Sequence, residues 1–149
     1  MKNVAKSTTN RKFSELLQGM ATNILSGGSL KNYLDKKENY KTELEAIKSY
    51  HKTITTDLFN TEQHEVFTAT DSLFKELLQF FTSNKSPNYN YIYDQVIAFG
   101  ELISTTIISH YLKEQNIKNT WLDVRNYIKT DNYYRSANVN WEKTKQNIT

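Results

Sequence analysis

The chain has no cysteine, a single proline (Pro87) and four glycines in 149 residues. Without cysteine there is neither a disulfide framework nor a thiolate metal site, so a reducing compartment suits it. One proline and four glycines cannot supply the turn roughly every 8–12 residues that an all-β sandwich needs, and long helices are expected instead. A long hydrophobic run is also missing. The most apolar stretch, residues 95–112, is broken by Glu101, Ser104, Thr105, Thr106, Ser109 and His110, which makes it poor material for a bilayer span. The first residues, MKNVAKSTTNRKF, lack the apolar centre of a secretion signal. A soluble, cytoplasmic protein with no membrane partner is expected. Charge of one sign is scarce as well: 19 Lys and Arg stand against 16 Asp and Glu, for a net charge of +3. That balance is too mild for the basic stripe of a nucleic-acid binder, and no nucleic-acid partner is expected. At 38% hydrophobic residues and a mean hydropathy of −0.69, a single domain of this length can bury roughly two thirds of its unfolded surface around a modest core.

What the sequence does have is helical periodicity. Phe13, Leu16, Leu17, Met20 and Ile24 recur at helix spacing after Thr8, Thr9 and Asn10, side chains suited to capping a helix start. The SGGS stretch at residues 26–29 ends that pattern, and a short helix through Leu30, Tyr33 and Leu34 follows. Tyr40, Leu44, Ile47, Tyr50 or His51, Ile54 and Leu58 then keep one face, with Lys and Glu on the other. A further helix carries Val66, Phe67, Thr70, Leu73, Phe74, Leu77, Leu78 and Phe81, closed by TSNKSPN. The next, over residues 95–112, places Val96, Ile97, Gly100, Ile103, Ser104, Ile107, Ile108 and Tyr111 on one stripe. Short polar connections make these helices antiparallel neighbours. After them NTWLDV, residues 119–124, is short and rich in Trp, Leu and Val, so it reads as a strand. Residues 125–140 read as loop with one short helical turn. A lone strand cannot satisfy its own backbone, so its sheet would need KNVA at residues 2–5 or another chain. The expected class is mainly α, with one or two short strands.

Few residues suggest chemistry. Glu101 is the one charge in the apolar helix, beside Gly100, whose place in a helix interior costs up to about 1 kcal/mol against Ala. It either reaches water, pairs with a neighbouring lysine, or meets a ligand. Thr8, Thr9 and Asn10 could receive an anion at a helix start, though most such residues simply cap. His51, His64 and His110 are far apart in sequence, so no metal site is expected, and no glycine-rich phosphate loop links a strand to a helix.

Taken together, FGELIST and, further on, TWLDVRNYIKTDNYYRSANVN resemble the middle of the catalytic domain of aspartate kinases, where a Gly-Glu pair on a helix precedes an Asp-Val-Arg strand and a Thr-Asp loop. STTN followed by RKFSELL is similar to that family's Thr-Asn turn and the helix leaving it. The resemblance implies that residues 1–149 are a partial, mainly helical piece of an α/β/α amino-acid-kinase domain. The parent activity would be ATP-dependent phosphorylation of L-aspartate to 4-phospho-L-aspartate, which opens lysine, threonine and methionine biosynthesis. It further implies that Glu101 pairs with the substrate ammonium and Thr9 touches a substrate carboxylate. Asp123, Arg125 and Thr130 would serve as architecture near the site.

The departures are as informative. The Lys-Phe-Gly-Gly-Thr-Ser loop that handles the phosphates is missing, the expected Ser and Gly fall on Asn3 and Ser7, and the Arg-Gly-Gly-Ser-Asp segment that should follow is missing too. On this reading ATP and magnesium belong to the parent enzyme and are not held tightly here. No residue is catalytic, L-aspartate binds weakly at most, the natural partner is the rest of the kinase domain, and the isolated chain is inactive. The alternative is a free-standing helical interaction module without catalysis, which uses its apolar helix faces to bind a partner protein and draws support from an open strand edge.

Overall fold

A computed structural model describes Tyr33 and residues 40–148. Within them the chain is mainly α-helical, with helices α1 (Tyr40–Phe59), α2 (Glu65–Ser83), α3 (Tyr89–Glu114) and α4 (Trp141–Ile148). The first three pack on one another as an antiparallel bundle. The expected helix at residues 13–24, the possible strand at residues 2–5 and Thr9 lie outside the described residues. So does most of the short helix around residues 30–34; its Tyr33 rests on Tyr40 and Phe81, and its hydroxyl accepts a hydrogen bond from Asn84 Nδ2 at 3.1 Å.

Local chemistry sets the helix ends. α1 stops at Asn60, whose φ of 53° is the left-handed conformation a helix exit favours, and its N–H donates to Thr56 O. α2 starts at His64, whose Nδ1 accepts from the Val66 N–H at 3.1 Å, so an imidazole does the work usually done by Ser, Thr or Asp. Asn88 Oδ1 caps α3 by accepting from Tyr91 N–H. The exit of α3 is a Schellman motif with Asn116 (φ 59°) in the glycine position: Ile117 N–H bonds Leu112 O and Asn116 N–H bonds Lys113 O.

α1 buries Leu44, His51, Thr55 and Leu58 along one face, and α2 buries Val66, Thr70, Phe74, Leu77 and Phe81. α3 differs in kind. Of the expected stripe Ile97 and Ile108 are only partly buried and the rest are buried; it also buries Phe99, Leu102, Thr106 and Ser109, so it is covered on more than one side and forms the centre of the fold. Gly100 is buried where α3 is covered, which accounts for a small residue in a helix interior. Ile92, Ile103 and Ile107 are fully buried, and each adds about 1.5–3 kcal/mol from apolar surface removed from water.

The strand expected at residues 119–124 does not form; residues 117–123 carry no regular structure, and Val124–Asn126 make a 3-10 turn. Among the described residues there is no strand, and the sole β-type pairing is an isolated antiparallel bridge between Thr130 and Val139. The period of two was real but its partner is a helix. Asn119, Trp121 and Asp123 are half-buried against the bundle, while Lys118, Thr120, Leu122 and Val124 are exposed. Asn119 and Trp121 are held by side-chain hydrogen bonds to α3, so no ladder is built.

Candidate functional site

The segment after α3 turns back along the bundle, is fastened to it at three places, and is tied to α4 at a fourth. Ser109 Oγ donates to Asn119 Oδ1 at 2.6 Å, and Asn119 Nδ2 donates to the Ser109 and Ile117 carbonyls. Trp121 Nε1 donates to Thr105 Oγ1 at 2.9 Å. Farther on, Arg135 N–H donates to Asp94 Oδ2 at 2.8 Å while its guanidinium stacks 4.7 Å from the centre of the Tyr93 ring, and Tyr134 meets Tyr91 edge-on. Finally, buried Thr144 of α4 accepts from Lys129 N–H at 3.0 Å, and Asn147 Nδ2 donates to Tyr127 O.

Between α2, α3 and this returning segment lies a groove of about 710 Å³. Its walls include Ser72, Leu73 and Glu76 from α2, Thr106, Ser109, His110 and Lys113 from α3, and Asn119, Trp121, Asp123 and Arg125 opposite. Arg125 grips Asp123 as a two-pronged fork, with Nε 2.9 Å from Oδ1 and Nη2 2.6 Å from Oδ2. Those donated hydrogen bonds hold the Asp123 carboxyl below its ordinary range, and the same pairing raises Arg125. Each occupies the other, so neither is poised for proton transfer. Ser109 donates to an amide oxygen, with no base at its hydroxyl, so the groove's described residues set up no activated nucleophile. Their chemistry is that of binding polar groups.

His110, on the wall of this groove, meets His64 edge-on, with ring centres 5.6 Å apart. His64 is locked by its cap: with Nδ1 accepting from Val66, the ring proton sits on Nε2, 3.0 Å from Glu114 Oε1. His110 Nδ1 lies 3.0 Å from Glu65 Oε1, yet burial outweighs that carboxylate and lowers the His110 pKa. The sequence spacing hid this pair, because residues 64 and 110 meet only through the pairing of α2 with α3. Among the described residues no group of three or more His, Asp or Glu is placed to hold a metal ion.

The residues singled out from the sequence do not form one constellation. Glu101 lies on the exposed side of α3 with its carboxylate in solvent and no ion-pair partner among the described residues; only its backbone carbonyl is engaged, by Ser104 and Thr105. Asp123 and Arg125 do line the groove, which Glu101 and Thr130 do not. Thr130 is exposed and forms the bridge to Val139. Beside that bridge, Asp131 organises the 131–138 loop by accepting from the Tyr133 and Asn138 N–H groups and from Asn138 Nδ2, and these bonds, the Asn138 side chain first, lower its pKa.

The largest departure from expectation concerns surface. Ile117, Leu122, Val124, Ile128, Tyr133, Trp141 and Ile148 are all exposed, Trp141 at 75% and Ile148 at 65%. This segment is also basic: Lys118, Arg125, Lys129, Arg135, Lys143 and Lys145 against Asp123, Asp131 and Glu142 give residues 117–148 a net charge of +3. No helix among the described residues is long and apolar enough to cross a membrane. In comparisons with known proteins no family model matches this sequence, and no curated protein or solved structure is significantly similar to it.

Proposed function

We propose that this chain is a helical interaction module that presents residues 117–148 to a partner protein. One observation carries the reading: of the eight large hydrophobic side chains exposed among the described residues, all but Tyr89 fall in that segment. A monomer's exposed apolar residues are ordinarily scattered, and their concentration marks a surface that another molecule covers. The bundle contributes rigidity: hydrogen bonds from α3 and the Arg135 clasp hold the segment in place, which lowers the ordering cost of binding. The test is site-specific photocrosslinking from positions 122 and 141 in the natural host, with position 45 on the exposed side of α1 as control. A discrete adduct from 122 and 141 alone is expected. The captured protein, once purified, should bind the Trp141→Ala, Ile148→Ser double variant about tenfold more weakly or worse. Equal crosslinking from all three positions, or unchanged affinity of the double variant, would overturn the reading.

A second reading is the piece of an aspartate kinase domain implied by the motif resemblance. It draws support from Glu101, a solvent-facing carboxylate directly after buried Gly100, free to meet a substrate ammonium. Titration with L-aspartate followed by NMR tests it: shifts centred on residues 100–104 and abolished by Glu101→Gln would favour it. Absence of shifts at millimolar aspartate, together with no aspartate-dependent ADP formation, would remove it.

A further inference from the structure

We infer that the extended stretch at residues 119–123 is a preformed edge for β-augmentation, and that its occupant is an extended, acidic polypeptide segment with apolar side chains at alternate positions. This rests on the interaction-module reading and names the partner's chemistry.

Three observations carry it. The stretch has strand geometry in its side chains, with Asn119, Trp121 and Asp123 turned to the bundle and Thr120, Leu122 and Val124 exposed, Leu122 at 56% and Val124 at 58%. Its inward side chains fix it to the bundle side, through Ser109–Asn119 at 2.6 Å and Trp121–Thr105 at 2.9 Å, so residues 119–122 are held in place without using their own backbone hydrogen-bonding groups, and only the Asp123 carbonyl is engaged, by the Asn126 N–H. The amides of residues 119–123 meet no acceptor among the described residues, whereas those just before and after are engaged, Ile117 with Leu112 O and Arg125 with Asp123 Oδ1.

An edge of this kind is completed by another extended backbone, since alternating N–H and C=O groups of a peptide satisfy it in register and outward side chains read alternate positions. A bilayer would bury Leu122 and Val124 but has nothing in its apolar interior to accept from those amides. Charge selects among peptides. Lys118 precedes the stretch and Lys129 follows it, while Arg125 and the one acid within it, Asp123, neutralise each other in their fork. Acidic residues on the incoming strand therefore meet cations at both ends, and basic ones are repelled.

The test uses a capped peptide of roughly seven residues alternating valine and glutamate, about the length of an ordinary strand, titrated into the 15N-labelled full chain at low salt. Expected are shifts over residues 119–123 with slowed amide exchange at Thr120 and Leu122, whose N–H groups share one edge, affinity about tenfold lower or worse when alternate peptide amides are N-methylated, and a similar loss for a valine–lysine peptide. Leu122→Pro, which removes one edge donor from an exposed position, should give the same loss while the α3 amide spectrum is retained. Shifts confined to Trp141 and Ile148 would overturn this inference and leave the interaction-module reading standing. Absence of shifts anywhere in residues 117–148 would count against both. Binding indifferent to N-methylation, preference for phosphatidylserine vesicles over the peptide, or exchange protection that rises with protein concentration without peptide would each overturn the proposal, the last by pointing to a second copy of the chain.

Discussion

His51 offers the sharpest test of the bundle's energetics. The side chain is 1% exposed on the inner face of α1, edge-on to Phe74 of α2 at 5.7 Å between ring centres. Its Nδ1 lies 2.8 Å from Ile47 O, a group that can only accept, so the ring proton sits on Nδ1 and Nε2 is a bare acceptor. That Nε2 is buried without a partner among the described residues. A buried unsatisfied acceptor costs about 1–3 kcal/mol, whereas the carbonyl of Ile47 keeps its helical bond if the imidazole is removed. His51→Leu should therefore stabilise the chain, by about 1–2 kcal/mol near neutral pH. With a urea slope of about 2 kcal/mol/M, the midpoint rises by about 0.5–1 M.

The pH dependence fixes the sign independently. Burial lowers the His51 pKa from its ordinary 6.5, so the unfolded chain takes up the proton more readily than the folded one. Its contribution is complete above that ordinary value and is lost as the pH falls toward the lowered one. The advantage of His51→Leu over wild type must then widen between about pH 7.5 and pH 5. Urea titrations of both proteins at the two pH values decide the matter. A midpoint that falls in the variant at unchanged slope, or an advantage that shrinks on acidification, would refute the assignment of Nε2 as an unpaired acceptor.

Glu101→Gln should leave the urea midpoint unchanged to within about 0.5 kcal/mol, because the carboxylate is in solvent; a clear drop would reveal a partner. Asn119→Ala removes the acceptor of the Ser109 hydroxyl and should cost about 1–2 kcal/mol, with faster exchange of the Trp121 indole N–H. Arg125→Ala should let the Asp123 carboxyl titrate at a higher pH, visible in its 13C shift, since the guanidinium fork chiefly keeps it low. His110, lowered mainly by burial, should add to the acid sensitivity: His110→Gln narrows the stability lost between about pH 7.5 and pH 5, and an unchanged loss would refute its buried assignment.

How much of this could be read in the chain depends on which signals are local. α1 and α2 bury one face each, so their period survives in Leu44, His51 and Leu58 and again in Val66, Phe74 and Phe81. α3 betrayed its place less clearly, because burial on several sides dilutes the contrast between faces, and its first turns are Tyr and Asn, poor helix markers that hid its start at Tyr89. α4 escaped notice for the opposite reason: it buries Thr144 alone, so no apolar stripe announces it. The histidine pair was invisible because His is an uncommon N-cap and because no spacing rule connects residues 64 and 110.

The stretch at residues 119–124 shows most plainly why a correct pattern can yield the wrong element. Alternation reports which side chains meet a surface; it does not report whether that surface is a sheet or a helix. Here the inward residues are Asn119 and Trp121, whose polar atoms reach Ser109 and Thr105 on α3. An inward face on a sheet core would have been apolar throughout. The hydrogen-bonding side chains at the inward positions were thus the available clue that the backbone would stay unpaired. They are also what leaves its amides open to another chain, and the same two contacts that refute the strand hold its outward side toward a strand-adding partner.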